Sequence, residues 1–227
     1  MLTSELFDLT KVGEPIASLL DVPRPWQALA RLDAFGAGLL DDRRGRVHPT
    51  AIITGPLVME EGAEVGPYAY LDGPVYMCAG AVVGHTAYLR GPVVLGPGAK
   101  VLHASEVKRS IFLAGAKAPH FNYIGDSVVG AGVNFGAGVK IANFKVYGDE
   151  VKVGSEGTGM RKLGCIAGDG VSVGCNAVLA PGTVIGRDSI VYHGAALRGI
   201  VPPGSVVKLR QQLEQVELRA SGSDKTS

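Results

Sequence analysis

Large aliphatic residues recur at every sixth position of the chain from Val47 to Leu113. Each step reaches Val, Ile, Leu or Met, and the series reads Val47, Ile53, Met59, Val65, Leu71, Met77, Val83, Leu89, Leu95, Val101, Val107 and Leu113. A small or aliphatic residue usually follows four positions later, and Gly or Pro often stands between them. Such a hexapeptide period is typical of a parallel β-helix, in which each short strand sends one large and one small residue inward. The pattern predicts an all-β fold.

Three hexapeptides complete one triangular coil, so residues 18 apart are expected to lie over one another at the strand spacing of ~4.8 Å. Such coils resemble the left-handed β-helix, an exception to the right-handed preference of parallel crossovers. One residue is missing from the frame between Leu113 and Ala118, another is missing before Val129, and residues 144–164 abandon the period. We therefore predict a single-stranded left-handed parallel β-helix over residues 47–207, with an extruded loop or hairpin at 144–164.

The two ends of the chain do not follow the repeat. Residues 1–46 include the segment PWQALARLDAFGAGLL, whose apolar positions are spaced as on a helix, and then a charged linker at 41–45. Because terminal repeats need capping, we expect a small N-terminal helical cap over the open end of the coil. Residues 208–218 predict a short polar helix, and the last residues of the region 208–227 are expected to be a disordered tail.

Composition narrows the class of protein. The 33 glycines and 6% aromatic residues indicate many tight turns and a core of small aliphatic side chains. A net charge of +1 offers no basic excess for nucleic acid or an anionic membrane, so we predict neither partner. No apolar run approaches the ~18 residues of a membrane span, and no secretory signal precedes the repeat. The three cysteines form no CxxC pair, which favours reduced thiols and a cytoplasmic location.

Two cations and three histidines occupy equivalent positions in successive coils. Arg90 and Lys108 are 18 residues apart, so they should stack and could hold a phosphate or carboxylate between them. The alternative is a pair of solvated cations beside Glu106 or Asp72. The imidazoles at 85, 103 and 120 should form a ladder, two rungs of which could share a zinc ion, whereas three in line span too far for tetrahedral coordination. We expect no metal site.

The third histidine, His120, differs from the other two because several polar residues follow it. Tyr123, Asn134 and Asn143 follow it within an otherwise apolar repeat. Imidazole titrates close to neutral pH, which suits a general base that takes a proton from an attacking amine or hydroxyl. The run from Gly136 to Gly138 leaves a thinly covered main chain whose N–H groups could receive an oxyanion. These residues indicate acyl transfer.

The segments around these residues resemble a known family. AYLRGP, SEVKRS and APHFNYIGDSVVGAGVNFGAGVKIAN are similar to the acetyltransferase domain of the bacterial N-acetylglucosamine-1-phosphate uridyltransferase/glucosamine-1-phosphate acetyltransferase and of related archaeal sugar-1-phosphate nucleotidylyltransferases. The similarity extends over residues 47–207, and the central segment is more specific than a generic hexapeptide. It implies a homotrimer with its sites between subunits, acetyl-CoA as cosubstrate and a hexosamine 1-phosphate as acceptor.

The resemblance also implies a role for each matching residue. His120 would be the general base and Asn143 would orient the amine. The sugar phosphate would be bound by Arg90, Lys108, Tyr123, Asn134 and Lys152. The acetyl-CoA contacts would be the backbone N–H of Ala137 and the residues Cys175, His193 and Lys208.

Two departures from the family pattern leave alternatives open. Cys175 replaces a serine and Phe144 a tyrosine, so the acyl donor or the acceptor, including another amino sugar or a nucleotide sugar, could differ. Residues 1–46 contain no Gly-rich nucleotidyltransferase loop, so this chain alone is not expected to make nucleotide sugars. A non-catalytic trimeric partner of a separate nucleotidyltransferase and a carbonic-anhydrase-like zinc enzyme are the remaining hypotheses.

Overall fold

The computed structural model describes residues 1–217 as a left-handed parallel β-helix of about nine turns, with short helices before it. The strands are short because each runs only from one corner of the triangular coil to the next. Parallel hydrogen bonding between successive coils groups the strands into three faces, which we call the cleft face, the helix face and the open face. Each face presents its outward side chains at equivalent positions, so residues far apart in sequence form columns.

The cleft face contains β3 (Ile52–Thr54), β6 (Tyr70–Asp72), the first half of β9 (Tyr88–Leu95), the first half of β11 (Glu106–Phe112), β13 (Tyr123–Gly125), β16 (Lys140–Ile141), β21 (Val178–Leu179) and β24 (Ala196–Leu197). The helix face contains β1 (Asp42–Arg43), β4 (Leu57–Met59), β7 (Val75–Met77), the second halves of β9 and β11, β14 (Val128–Val129), β19 (Cys165–Ala167), β22 (Thr183–Ile185) and β25 (Ile200–Val201). The open face contains β2 (Arg46–Val47), β5 (Glu64–Val65), β8 (Val82–Val83), β10 (Lys100–Val101), β12 (Lys117–Ala118), β15 (Asn134–Phe135), β20 (Ser172–Val173), β23 (Ile190–Val191) and β26 (Val206–Val207).

The large positions of the predicted hexapeptide frame point into the interior of the coil as far as Val107. The large positions from Met59 to Val107 are buried in one continuous core. The next large inward residue is Phe112, because the register between β9 and β11 shifts between Lys108 and Ser110. The predicted place of Leu113 in the inward frame is therefore wrong: this side chain belongs to a second core outside the coil.

The N-terminal helices build that second core. They are α1 (Thr3–Leu6), α2 (Ile16–Leu20) and α3 (Ala28–Ala37), with 3-10 turns at Leu9–Lys11 and Pro25–Gln27. Their buried side chains, among them Trp26 and Leu29, share a core with the outward Val94, Ile111 and Ile166 of the helix face. The expectation of a cap over the end of the coil is wrong, because the helices cover a side of the coil, where outward aliphatic residues need burial.

Other expectations for the chain ends also change. The predicted charged linker contains β1, in which Asp42 and Arg43 pair with Val58 and Met59. The helix predicted at 208–218 is not formed over 208–217, whose residues have no regular structure and are exposed, so no apolar face is buried to stabilise a helix. The expected tail at the end of the chain lies outside the described residues. None of the helices in the described part is long and apolar enough to span a membrane.

The excursion at 144–164 contains a hairpin of β17 (Lys152–Val153) and β18 (Glu156–Gly157). It folds back on its own chain, since Val151, Val153 and Leu163 are buried in the core shared with the N-terminal helices. Arg24 in the N-terminal region donates to the Glu156 carboxylate at 2.8 Å. The excursion and the helices therefore form one layer beside the coil.

Candidate active site

A shallow cavity of about 320 Å³ lies on the cleft face beside the start of the excursion. It gathers four of the predicted site residues, together with two residues from the excursion, and its lining is Arg90, Lys108, Tyr123, Asn143, Phe144 and Lys162. We call it the cationic cleft. Three of its six lining side chains are cationic, so its chemistry favours an anionic group.

The predicted stacking of Arg90 over Lys108 is confirmed by the register of β9 and β11. Each cation also has a carboxylate partner: Glu106, which the alternative expectation named, pairs with Arg90, and Asp126, which it did not name, pairs with Lys108. The Arg90 Nη1 donates to Glu106 at 3.0 Å, and this hydrogen bond raises the pKa of the guanidinium. The Lys108 ammonium lies 3.4 Å from the carboxylate of Asp126. The two cations are thus held in place while facing the cavity.

Tyr123 and Asn143 meet over the end of β13. A Cβ added at Gly125 would lie 2.5 Å from the Asn143 Nδ2 and 3.0 Å from the Tyr123 hydroxyl oxygen. Only a residue without a side chain lets these two groups lie against that strand. Burial raises the pKa of the Tyr123 phenol, and the nearby carboxylates of Glu106 and Asp126 add to the effect. The phenol therefore stays a hydrogen-bond donor at neutral pH.

Asp126 lies beside the cationic cleft and was not among the residues named by the sequence analysis. Its side chain is 1% exposed, yet it contacts three polar partners, namely Lys108, Arg109 and the Asn143 amide. A buried carboxylate is costly unless it is paired and hydrogen-bonded, so this group needs all of them. The signal that could have found it is its place at the second break of the repeat frame, directly after Gly125.

His120 and three of the predicted acetyl-CoA contacts lie on a corner edge where the open face turns into the cleft face. Each turn of the coil contributes one residue, or rung, to this edge, and the residue that follows a rung donates its backbone N–H to the carbonyl of the rung before. Gly138 donates to His120 at 3.0 Å, Asn176 to Ala137 at 2.8 Å and Gly194 to Cys175 at 2.8 Å. The order along the edge is therefore His120, Ala137, Cys175 and His193. The edge lies at the start of the cleft-face strands, and the cationic cleft lies at their ends.

The histidine ladder is only partly formed. The rings of His85 and His103 stack with their centroids 4.3 Å apart. The ring of His120 instead lies 6.5 Å from Phe121, at an interplanar angle of 45°. Over residues 1–217 no three His, Cys, Asp or Glu side chains gather in a way that could hold a metal ion.

Three predicted residues lie away from the cationic cleft of their own chain. Asn134 is exposed in β15 on the open face. Lys152 is exposed on the hairpin, and Lys162 is the excursion lysine that lines the cleft. Lys208 places its ammonium 5.6 Å from the ring centroid of Tyr192, close to the rung of His193. The sequence analysis named Lys152 on the resemblance alone, because the excursion has no period to assign its lysines a face.

Comparisons with known proteins agree with this architecture. A family model described as the GMPPB C-terminal domain matches residues 71–159. A curated bifunctional sugar-1-phosphate nucleotidylyltransferase/acetyltransferase of Sulfurisphaera tokodaii is 36% identical over 204 residues, covering 88% of this chain and 51% of that protein. A bifunctional protein GlmU of Methanococcus maripaludis is 45% identical over 196 residues, covering 85% of this chain and 48% of that protein.

The chain spans about half the length of the curated relatives it matches. Among solved structures, the polySia specific acetyltransferase NeuO aligns over 82% of this chain and 83% of its own, at 16% identity and a TM-score of 0.33, which is too low to carry an argument. The sequence matches extend over most of this chain and therefore show what it resembles. Over most of its length the chain resembles about half of the bifunctional sugar-1-phosphate nucleotidylyltransferase/acetyltransferases, and the matching family model falls within the β-helix.

Proposed function

We propose that this protein transfers the acetyl group of acetyl-CoA to the amine of a hexosamine 1-phosphate, of the glucosamine 1-phosphate type. The observation that carries the proposal is the order of groups on the corner edge, where His120 is followed by Ala137, Cys175 and His193 on successive rungs. The candidate base therefore lies on the same edge as the main chain of Ala137 and the side chains proposed to contact acetyl-CoA. The cationic cleft on the adjoining face supplies the anion site that a sugar phosphate needs.

The proposed reaction is a direct attack without an acyl-enzyme intermediate. The amine nitrogen forms a bond to the thioester carbonyl carbon while the imidazole of His120 takes a proton from the amine. The Ala137 N–H, which donates to no other group within residues 1–217, receives the oxyanion of the tetrahedral intermediate. The carbon–sulfur bond then breaks, and the proton passes to the departing thiolate of CoA.

The cationic cleft would hold the acceptor. Arg90 and Lys108 bind its phosphate, with the Tyr123 hydroxyl as a further donor. Asn143 orients the amine. Its amide is fixed by a hydrogen bond to Asp126, so its carbonyl oxygen can face the substrate. Fixed donors and acceptors of this kind lower the barrier by holding the amine in an attacking geometry.

A homotrimer would complete the site. Asn134 on the open face and Lys152 on the hairpin lie away from the cleft of their own chain, so in the proposal they serve the site of a neighbouring subunit. Support comes from the outward side of the open face, where Ile190 is 45% and Val206 50% exposed. Exposed aliphatic side chains in register favour an interface between copies of the chain. Lys208 and His193 would then border the nucleotide end of acetyl-CoA.

The test is thiol release from acetyl-CoA with glucosamine 1-phosphate as acceptor. We expect the His120→Ala variant to lose at least about 100-fold in kcat, since a general base contributes on that order or more. The matched control is His85→Ala, which removes an imidazole from the same corner edge two rungs away. Equal rates for wild type and His120→Ala would remove the proposed base. An absence of release with any hexosamine 1-phosphate would overturn the proposed acceptor class.

A further inference from the structure

We propose that Asp126 is a positioning residue of the candidate active site and that Arg109 connects it to helix α3, so that docking of the N-terminal helices sets the geometry of Lys108 and Asn143. The inference rests on the proposed function for its kinetic consequence. Its structural basis is a continuous chain of charged contacts from the helical layer into the cationic cleft.

The chain of contacts begins on α3. The carboxylate of Asp33 accepts two hydrogen bonds from the Arg109 guanidinium, the one from Nε at 2.8 Å, and the carbonyl oxygen of Leu29 accepts a third at 3.3 Å. A guanidinium with a carboxylate on its fork is geometrically fixed in a way that an ammonium is not. Arg109 is therefore held by the helix on one side.

The same guanidinium reaches the coil. Its Nη1 lies 3.2 Å from one carboxylate oxygen of Asp126. The other oxygen of that carboxylate contacts the Lys108 ammonium and the Asn143 amide. The backbone of Asp126 is also fixed, since its N–H donates to the Lys108 carbonyl and its carbonyl accepts from Gly164, each at 2.8 Å. Every polar group of Asp126 is thus engaged.

The charges explain why the connection matters. Lys108 and Arg109 are adjacent cations, and the buried Asp126 is the carboxylate that they share. If Arg109 loses its contact with α3, it can move toward Asp126 and compete with Lys108 and Asn143 for the same two oxygens. Asn143 would then lose its fixed amide, and the proposed amine site would lose its orientation.

Helix α3 contributes no residue to the lining of the cleft, and Arg109 is the side chain that bonds both to α3 and to Asp126. The acetyl-CoA contacts proposed on the corner edge do not belong to this network. A defect transmitted by Arg109 should therefore appear in kcat and in binding of the acceptor, while the KM for acetyl-CoA stays unchanged. A general loss of folded protein would lower the amount of active enzyme without this split.

The experiment compares Arg109→Gln and Asp33→Asn with Asp21→Asn. Asp21 is the matched control, because it pairs with Arg31 in the same helical region at 3.8 Å and has no connection to the cleft. We expect kcat to fall roughly tenfold in Arg109→Gln, less in Asp33→Asn and not in Asp21→Asn. Asp33→Asn keeps the test valid if Arg109→Gln fails to fold. Arg109→Lys should rescue only partly, because an ammonium restores the charge without the two-sided bridge.

Wild-type kcat in both Arg109→Gln and Asp33→Asn, or an equal loss in Asp21→Asn, would overturn the positioning role. The side-chain amide resonance of Asn143 gives a readout that needs no turnover. We expect it to shift in Arg109→Gln and Asp33→Asn and to stay in place in Asp21→Asn. If wild type releases no thiol, the proposed function fails, and the Asn143 resonance still decides the positioning role: an unmoved resonance in Arg109→Gln overturns it.

Discussion

The Gly138 backbone N–H donates to the carbonyl oxygen of His120 at 3.0 Å, which fixes the rung of Ala137 directly beside that of the candidate base. His120 and Ala137 are 17 positions apart, because the coil lacks one residue of the usual 18 at this point. The frame break therefore does not separate the base from the proposed oxyanion donor. The two residues stay on one edge, and the missing residue lies farther along the turn, beyond β13 and close to Asp126.

The close approach at Gly125 gives a first prediction. In Gly125→Ala the new Cβ would lie 2.5 Å from the Asn143 Nδ2, so that side chain must move away from Asp126. We expect roughly a 10- to 100-fold loss of kcat, because the group proposed to orient the amine is displaced. Gly13→Ala is the control, since nothing lies within 4 Å of a Cβ at that position. Equal activity of the two variants would show that Asn143 has no role in the chemistry.

The ion pair of Arg90 gives a second prediction. Its partner Glu106 is about one-third exposed, so the pair contributes no more than about 1 kcal/mol, and under the proposed function it would compete with a bound phosphate. We expect Glu106→Gln to bind glucosamine 1-phosphate up to about fivefold more tightly, measured by calorimetry. Glu64→Gln removes the partner of Arg46 on the open face and should leave the affinity unchanged. Weaker binding in Glu106→Gln would mean that the pair preorganises the site.

The three thiols should react very differently. Cys175 is exposed, whereas burial raises the pKa of Cys78 to about 12 and also raises the pKa of Cys165. A raised pKa means less thiolate at a given pH, so at pH 8 an alkylating agent should label Cys175 first, and the other two only after denaturation. Under the proposed function acetyl-CoA should slow this labelling. Labelling at the same rate with and without acetyl-CoA would contradict a cosubstrate path past Cys175.

The lateral position of the helices gives a prediction about stability. Leu29 is fully buried in the core between α3 and the helix face. We expect Leu29→Ala to lower the free energy of unfolding by about 2–5 kcal/mol, measured by denaturant unfolding. Leu40→Ala is the control, because that side chain is 83% exposed. If the two variants unfold at the same denaturant concentration, the helices do not contribute a core to the coil.

The sequence predicted the coil well because its period is set by burial alone. Each inward position needs an aliphatic side chain, and the column from Met59 to Val107 has one at every step. The frame was lost at Phe112 and Leu113, where both neighbours are apolar and both are buried, one inside the coil and one under the helices. A hydrophobic period cannot tell an inward side chain from an outward one where both sides of the strand are buried.

The helices and the excursion were harder to place from sequence. Outward aliphatic residues such as Val94 and Ile111 were a signal that something covers that side, yet the segment that covers it has no spacing in common with the coil. The contact of Arg109 with Asp33 joins residues 76 positions apart and depends on that docking. The importance of Asp126 follows from this contact, so the sequence alone did not reveal it.

The most direct test of the account is acceptor-dependent thiol release with identification of the product. Wild-type protein, acetyl-CoA and glucosamine 1-phosphate should yield one CoA thiol for each molecule of N-acetylated sugar phosphate, with no release before the acceptor is added, because in the proposed reaction the amine attacks the thioester directly. Glucosamine without the phosphate should be a poor acceptor, since the cationic cleft would have no anion to bind. A burst of thiol without acceptor, or an equal rate with the unphosphorylated sugar, would contradict the account.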